Sequence, residues 1–298
     1  MPTVQYKDIN LRPKSLQIIQ QANAIIEEYT EAGYDLTLRQ LYYQFVSRDI
    51  IPNSDREYDK LGSIINDGRL AGLIDWEAII DRTRPSRGIT HWDTPQEIIT
   101  AIGKQFHVDT RADQKHYIEV WVEKDALIGV LERICNQLEV PYFSCRGYVS
   151  QSSMWEAAQR FKEHGRDSFL IHLGDHDPSG IDMSRDIQDR LNLFRSNCEV
   201  QRIALTMEQV EKYNPPPNPA KISDSRSNGY IANYGYSSWE LDALKPQIIT
   251  ALIKQAVDKL TDKKKRNALI AEQDEHRANI QKVAKKWNSV VAHLNGDE

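Results

Sequence analysis

The sequence predicts an α/β fold with a helical N-terminal domain, a middle domain built on a mainly parallel sheet, and C-terminal helices. Three observations lead to this prediction. Apolar residues recur at helical spacing in the N-terminal third, short apolar strands alternate with helices over residues 117–205, and helical spacing returns after Trp239. Alternating strands and helices form βαβ units, which generate parallel sheets. The predicted domains are residues 1–108, 109–236 and 237–298.

The N-terminal domain is predicted to contain three helices and a short strand. The first helix covers residues 10–33, the second begins after Thr37, and the third begins after Ser54. The strand covers residues 74–80. Thr37 and Ser54 each precede a Gln or Glu by three residues, a pattern typical of a helix N-terminus. This order of elements favours a helix-turn-helix or winged-helix unit.

The middle domain is predicted to alternate four strands with helices. The strands are residues 117–122, 141–144, 168–173 and 200–205, and the helices are residues 124–138, 152–164, 181–194 and a short one after Thr206. A helix after Thr94 and a polar linker at residues 109–115 precede this pattern. The proline-rich stretch 215–236 is predicted to be a loop.

The composition restricts the classes of function. The formal net charge is −5, which argues against non-specific coating of nucleic acid, because that affinity comes from neutralised phosphates. Any nucleic-acid contact is therefore expected to be local. The three cysteines lack CxxC spacing, which argues against a zinc site and favours a reducing, cytoplasmic setting. No apolar run could span a bilayer or serve as a signal segment, so no membrane partner is expected.

Acidic side chains directly follow two of the predicted strands. Glu123 follows the strand that ends at Val122, and Asp175 and Asp177 follow the strand that ends at Leu173. Ligands of open parallel sheets gather at the carboxyl ends of strands, so the three carboxylates are expected to lie close together. An all-oxygen site suits a hard cation, and the pattern predicts Mg²⁺ with coordination positions left open for phosphate oxygens.

Each part of this pattern also has an ordinary structural explanation. An isolated Asp-x-Asp is more often a solvated turn or a helix cap than a metal site. Glu123 could instead pair with Lys124 or Arg146. His172 and His176 could be ligands, but His172 lies inside a strand and is expected in the core, while alternation points His176 away from the two aspartates.

A tyrosine on the second predicted helix is a candidate nucleophile. The apolar stripe of this helix consists of Leu38, Leu41, Tyr42, Phe45 and Val46. Tyr43 lies roughly 120–130° from the centre of the stripe, so it is expected to be largely exposed. Arg39, four residues earlier, shares its flank, and a cation beside a metal would ease attack by a hydroxyl whose usual pKa is about 10. The alternative is an ordinary surface tyrosine.

Several segments together resemble a family of DNA-cleaving proteins. Val122-Glu-Lys-Asp-Ala126, Arg146-Gly-Tyr148 and Gly174-Asp-His-Asp-Pro-Ser-Gly-Ile181 resemble the Toprim domain of the topoisomerase VI A subunit and the related meiotic double-strand-break transesterase. Arg39-Gln-Leu-Tyr-Tyr43 is similar to the motif in that family's winged-helix domain whose final tyrosine attacks DNA. Trp239-Glu-Leu-Asp-Ala-Leu-Lys245 resembles the family's C-terminal element.

The resemblance implies a reaction and a set of roles. Tyr43 is the nucleophile that forms a 5′-phosphotyrosyl link to double-stranded DNA, Arg39 supports it, and Glu123, Asp175 and Asp177 bind Mg²⁺. Asp182 stands where the family has a glutamate and is a further candidate acid. The residues assigned to DNA binding are Arg82, Arg84, Arg87, Lys124 and Arg146. For the first three, a solvated arginine loop is the alternative.

The resemblance also implies an assembly. In the family the tyrosine and the metal site come from opposite subunits, so we predict a homodimer with a groove for duplex DNA. Strand passage would need a separate ATPase partner. The chain resembles the small stand-alone A-type proteins of phages and plasmids, which implies an intracellular location. Two alternatives stay open: a Toprim nuclease that uses water instead of Tyr43, and a non-catalytic DNA-binding or assembly protein.

Overall fold

The computed structural model describes residues 3–80, 89 and 91–296. Within these residues the chain divides into two compact units. One takes the described residues of Met1–Thr83 together with Tyr117–Val257, and the other takes those of Arg84–His116 together with Asp258–Glu298. The three domain ranges inferred from the sequence stay a prediction.

The described residues form twelve α-helices and six strands. The helices are α1 Pro13–Glu31, α2 Leu38–Ser47, α3 Asp55–Leu70, α4 Pro95–Gln105, α5 Ile128–Leu138, α6 Gln151–Glu163, α7 Pro178–Leu193, α8 Met207–Tyr213, α9 Ser227–Tyr234, α10 Pro246–Lys259, α11 Lys263–Lys285 and α12 Trp287–Asn295. The strands are β1 His116–Val122, β2 Tyr142–Ser144, β3 Asp167–Leu173, β4 Cys198–Ala204, β5 Asn218–Pro219 and β6 Ser237–Ser238. In this part of the chain no helix combines the length and apolar character needed to cross a membrane.

The second and third helices begin where their caps predict, whereas α1 begins at Pro13 without a side-chain cap. The Thr37 side chain accepts from the Gln40 backbone and the Gln40 side chain accepts from the Thr37 backbone, which forms the predicted capping box. The Ser54 side chain accepts from the backbone N–H of Glu57. The buried apolar faces of α1, α2 and α3 share one core, with Leu41 and Phe45 fully buried in its centre.

The predicted strand at residues 74–80 is wrong. In this stretch the backbone makes one isolated parallel bridge, between Leu36 and Ile79, and the N–H of Ile80 donates to the Leu36 carbonyl oxygen at 2.9 Å. The turn in which the Ala78 N–H donates to the Asp75 carbonyl oxygen bends the chain away from a longer ladder. The apolar residues that suggested a strand serve instead to fill the helical core, where Ile74 is fully buried.

The middle of the first unit is a four-stranded sheet in the order β2-β1-β3-β4. The pairs β1–β2 and β3–β4 are parallel, with Val122 opposite Ser144 and Ser168 opposite Cys198. The prediction of an α/β fold with a mainly parallel sheet is confirmed. Since β1 and β3 are neighbours, the residues that follow them meet at one edge of the sheet, and the Glu123 N–H donates to the Leu173 carbonyl oxygen at 2.9 Å.

The loop predicted at residues 215–236 is partly wrong, because it contains α9 and one strand of the antiparallel pair β5–β6. The reason lies in a contact distant in sequence. Tyr230 of α9 is buried, and its hydroxyl bonds the backbone oxygen of His176 at 2.8 Å. A helix held by such tertiary contacts needs little periodicity of its own.

The second unit is helical. In it α4 packs on α11, and Gly103 lies so close to α11 that a Cβ atom there would come 3.1 Å from Ile280. The Val108 N–H donates to the Gln273 side chain at 3.0 Å, and Gln273 is buried. The predicted helix after Thr94 is confirmed, with the Thr94 side chain as its cap.

Candidate active site at the carboxyl ends of the parallel strands

Glu123, Asp175 and Asp177 lie together at the edge where β1 and β3 end. Glu123 Oε2 accepts the backbone N–H of Asp175 at 2.9 Å. Burial raises the pKa of Glu123 to about 7, and the negative charges of Asp175 and Asp177 add to the rise. A carboxylate with this environment gains stability from any positive charge that arrives beside it.

Two glycines let this acidic loop fold tightly. A Cβ atom at Gly174 would lie 2.9 Å from Glu123 Oε2, and one at Gly180 would collide with the backbone carbonyl oxygen of Asp175. The backbone at Gly180 therefore lies closer to Asp175 than a larger residue would allow, while Gly174 leaves room for the Glu123 carboxylate.

Arg202 of β4 organises the loop from behind, and the sequence analysis missed it. Its guanidinium donates to the carbonyl oxygens of Gly174 at 2.9 Å, Asp175 at 2.6 Å and Gly180 at 2.8 Å. Burial lowers the pKa of Arg202, while the three nearby acids oppose this. A single arginine inside a strand gives no sequence signal for such a role.

Asp177 is the N-cap of α7. Its Oδ1 accepts the Gly180 N–H at 2.6 Å and the Ser179 hydroxyl at 3.0 Å. The helix-cap explanation of the Asp-x-Asp pair is therefore correct for this residue. A capping carboxylate at a helix N-terminus also faces the positive end of the helix dipole.

Both carboxylate oxygens of Asp175 are bound within the protein. Oδ1 accepts the Leu241 N–H at 2.8 Å, and Oδ2 pairs with Lys124 Nζ at 2.9 Å. Burial raises the pKa of Asp175, and the charge of Lys124 works against that rise. The residue is 6% exposed, so this charge depends on its partners in the protein.

Lys124 joins Asp175 to two further acids that the sequence analysis did not single out. Its ammonium pairs with Glu240 and, at 3.3 Å, with Asp242. These acids come from the segment between β6 and α10. Trp239, at the start of this segment, binds the acidic loop as a strand would: Trp239 and His176 exchange backbone hydrogen bonds of 3.0 and 2.8 Å. The available sequence signal was the resemblance of this segment to the family's C-terminal element.

Tyr43 is buried, so the prediction of a largely exposed tyrosine is wrong. It is 6% exposed, because the Leu241–Ala243 turn packs on the flank of α2 that helical periodicity assigned to solvent. Burial raises the pKa of Tyr43, and the negative charge of Asp242 raises it further, while Arg39 opposes both.

The predicted shared flank of Arg39 and Tyr43 is confirmed. Arg39 Nη2 donates to the Tyr43 hydroxyl at 3.4 Å, and the guanidinium lies 5.6 Å from the centre of the ring. Lys124 Nζ lies 5.8 Å from the same ring centre. Two cations therefore flank the tyrosine, at distances typical of cation–π contacts. Tyr42, in contrast, packs in the core and bonds Asn53.

A cavity of about 690 Å³ opens beside this cluster. Its charged lining residues are Arg39, Arg69, Lys124, Arg146, Glu123 and Asp125. Arg146 is highly exposed and pairs with Asp125 at 3.1 Å. Arg146 therefore does not pair with Glu123, whereas Lys124 acts on Glu123 through its charge and pairs directly with other acids, so the alternative partner is wrong for Arg146 only. Basic side chains beside a carboxylate edge suit a phosphate-bearing ligand.

Other predicted site residues lie elsewhere. Asp182 bonds the Tyr148 hydroxyl at 2.7 Å and pairs with Arg185 and Arg226, which hold its pKa below the usual value against the effect of burial. It belongs to this surface cluster and is absent from the lining of the cavity. The predicted DNA contacts Arg82, Arg84 and Arg87 lie outside the described residues.

His172 lies in the core, as its place inside a strand predicts, and His176 is held by aromatic residues. His172 is fully buried, bonds Ser184 at 2.8 Å, and has its pKa lowered to about 3 by burial. His176 bonds the Tyr230 hydroxyl at 2.8 Å and packs among aromatic rings, including that of Trp239.

The donor chemistry of the site fits magnesium, although the described side chains are not arranged around a metal position. Over residues 3–80, 89 and 91–296 no three His, Cys, Asp or Glu side chains form a group that could hold a metal ion. The three acids are nevertheless all oxygen donors, and the raised pKa of Glu123 indicates that nearby positive charge does not fully balance their negative charge. Binding would require Asp175 to exchange one of its present partners.

Comparison with known proteins gives no family assignment. The chain matches no protein-family model, and no curated protein is significantly similar to it. The functional interpretation therefore depends on the geometry of the site and on the resemblance of its motifs.

Proposed function

We propose that this chain cleaves DNA by transesterification through Tyr43. The phenolic oxygen bonds to a backbone phosphorus and the bond from that phosphorus to the 3′ oxygen breaks. The phenol loses its proton and the 3′ oxygen gains one, which leaves a 5′-phosphotyrosyl link and a free 3′ hydroxyl. The reaction conserves bond energy, so strands can be rejoined by its reversal.

One observation carries this proposal: two cations lie beside Tyr43, close to the acidic strand edge. Arg39 reaches its hydroxyl, and Lys124 lies near its ring and pairs with Asp175. A phosphate bound at the hydroxyl would contact the charge of Arg39 and lie near that of Lys124. Preorganised cations stabilise the charge that develops on phosphate oxygens in the transition state.

Magnesium is the cofactor that the acidic edge would take. Glu123, Asp175 and Asp177 would hold it, and when bound it would offset negative charge on the phosphate. Lys124 and Arg202 keep these carboxylates in place through the contacts described above. Arg39 orients the Tyr43 hydroxyl, and burial of Tyr43 excludes water from it.

The wider assembly extends the same proposal. The helices α1–α3 would act as a winged-helix DNA-binding portion and the parallel sheet as a Toprim domain. A homodimer with two-fold symmetry would place two sites on opposite strands of duplex DNA and make paired cuts. Strand passage would require a separate ATPase partner.

A metal-dependent nuclease is the second candidate, and a specific observation favours it. Tyr43 is buried and its pKa is raised, which disfavours the phenolate needed for attack. In a nuclease, water would attack the phosphate at the acidic edge and Tyr43 would only pack against Arg39 and Lys124. Cleavage would then leave no protein on the DNA.

A covalent-adduct assay separates the two candidates. Purified protein is incubated with end-labelled linear and supercoiled DNA and Mg²⁺, denatured, and examined for protein-linked DNA, with Tyr43→Phe and EDTA controls. Transesterification predicts an adduct that is lost with Tyr43→Phe and with EDTA. Tyr42→Phe is the matched control, because Tyr42 lies next in sequence but bonds Asn53 in the core; it should retain the adduct.

Each other outcome has a defined meaning. Cleavage that persists in Tyr43→Phe without an adduct contradicts the transesterase and supports the nuclease. Binding of DNA that survives EDTA, with no cleavage by any variant, contradicts both enzymes and supports a DNA-binding or assembly protein.

A further inference from the structure

The strongest unexplained feature of the site is the buried carboxylate of Asp242. Its side chain has no exposed surface. Each of its oxygens holds a different cation: Oδ2 accepts from Arg39 Nε at 3.2 Å, and Oδ1 accepts from Lys124 Nζ at 3.3 Å. A buried charge is strongly unfavourable unless it is paired, so the burial of this acid depends on both cations.

The two cations held by Asp242 are the same two that flank Tyr43. The guanidinium of Arg39 and the ammonium of Lys124 lie 5.6 and 5.8 Å from the centre of its ring. They come from α2 and from the end of β1, elements that are distant in sequence. Glu240 also pairs with both cations, with Arg39 at 3.8 Å, but its side chain is partly exposed, whereas that of Asp242 is fully buried between them. Without Asp242 the two like charges would be held less firmly.

We propose that Asp242 is a positioning residue that sets Arg39 at the Tyr43 hydroxyl and Lys124 beside the Tyr43 ring. This inference rests on the proposed function of Tyr43. Asp242 acts through the two cations and does not touch the phosphate. Its segment also donates the Leu241 N–H to Asp175, so one short stretch aligns the tyrosine, its cations and the acidic loop.

The test compares Asp242→Asn with a matched buried acid. Glu119 of β1 is 2% exposed and holds Arg160 with two hydrogen bonds of 3.0 Å, outside the cavity and the Tyr43 cluster. Glu119→Gln therefore reports the structural cost of losing a buried, arginine-paired carboxylate. The single-turnover rate of adduct formation on supercoiled DNA with Mg²⁺ and the Kd for DNA are measured for both variants, alongside thermal unfolding.

We expect Asp242→Asn to slow adduct formation about 10- to 100-fold, the scale of small misplacements in an active site, with the Kd changed less than about twofold. Glu119→Gln should lose stability but keep the rate. The effects of Asp242→Asn and Arg39→Gln should be less than multiplicative in the double variant, because Asp242 acts partly through that arginine and partly through Lys124. A wild-type rate in Asp242→Asn, or fully multiplicative effects in the double variant, overturns the proposal.

A second readout does not require catalysis. The tyrosines are replaced by 3-fluorotyrosine, and the ¹⁹F signal of Tyr43 is assigned by its loss in Tyr43→Phe. The signal should move in Asp242→Asn and stay in place in Glu119→Gln. If wild-type protein forms no adduct, the proposed function fails, and an unmoved Tyr43 signal separately overturns the positioning role. If Asp242→Asn does not fold, Asp242→Glu, which keeps the charge but displaces it, is measured in both assays.

Discussion

At the scale of single residues, the acidic edge is governed by how its charges are compensated. Lys124 pairs with Asp175 and Asp242, Arg39 also pairs with Asp242, and Arg202 holds the loop through its backbone oxygens. The side chain of Glu123 accepts a backbone hydrogen bond, and the charge of Lys124 lowers its pKa only in part, so that burial still raises it to about 7. A pKa in this range makes the titration of Glu123 informative.

The raised pKa of Glu123 predicts how stability depends on pH. Between its reference pKa of 4.5 and its folded pKa of about 7, the folded state binds more protons than the unfolded state. The contribution of Glu123 to the free energy of unfolding therefore falls as pH rises through this window. His172, with a folded pKa of about 3, contributes with the opposite sign below pH 6.5, so the difference from a variant is the useful quantity.

Urea unfolding in EDTA from pH 5 to pH 8 measures this difference. Relative to wild type, Glu123→Gln should become progressively more stable as pH rises towards 8, because it keeps the shape and an acceptor for the Asp175 N–H but not the charge. Mg²⁺ should stabilise wild type more at pH 8 than at pH 5. Parallel stability curves for the two proteins would show that Glu123 titrates normally.

At the scale of elements, Asp177 has two separable roles, as cap of α7 and as candidate metal ligand. Asparagine caps helices about as well as aspartate, whereas alanine costs ~1 kcal/mol. In EDTA we expect Asp177→Asn to match wild type closely in stability and Asp177→Ala to lose ~1 kcal/mol. With Mg²⁺, both variants should lose the metal-dependent gain in melting temperature. A full gain retained in Asp177→Asn would remove Asp177 from the metal site.

Elements whose signals are local were predictable from the sequence. Thr37, Ser54, Thr94 and Thr206 all cap helices as their patterns indicate, and the acids that follow β1 and β3 meet because parallel strands share an edge. The burial of Tyr43 was not predictable. The apolar pattern of a helix shows which of its faces packs on the nearby core. It carries no information about the turn that covers Tyr43, because that turn comes from about 200 residues later in the chain. Arg202 was missed for a similar reason, since its partners are backbone oxygens of another strand's loop.

At the scale of the whole molecule, the question is whether one subunit supplies a complete site. The resemblance implies that tyrosine and metal site come from opposite subunits of a dimer. In this chain Arg39 and Lys124 both bind the same chain's Asp242, and both flank the same chain's Tyr43. These contacts predict that each subunit cleaves with its own tyrosine.

Subunit mixing tests this prediction. Tyr43→Phe lacks the nucleophile and Asp177→Asn lacks a candidate metal ligand, so each is expected to form no adduct alone. If each subunit uses its own site, every subunit in a mixture still lacks one part, and a denatured and refolded mixture stays inactive. If the sites are shared, a mixed dimer has one intact site, formed by Tyr43 of one subunit and the acids of the other, and random exchange would restore up to about half of the dimers as single-site enzymes.

Adduct in the mixture would therefore mean that the contacts of Tyr43 within its own chain belong to a resting arrangement, which must open before the tyrosine reaches the acids of the partner. If no adduct forms although differential tagging shows that mixed dimers are present, each chain cleaves with its own Tyr43 and its own acids, as the contacts of Asp242 within one chain predict.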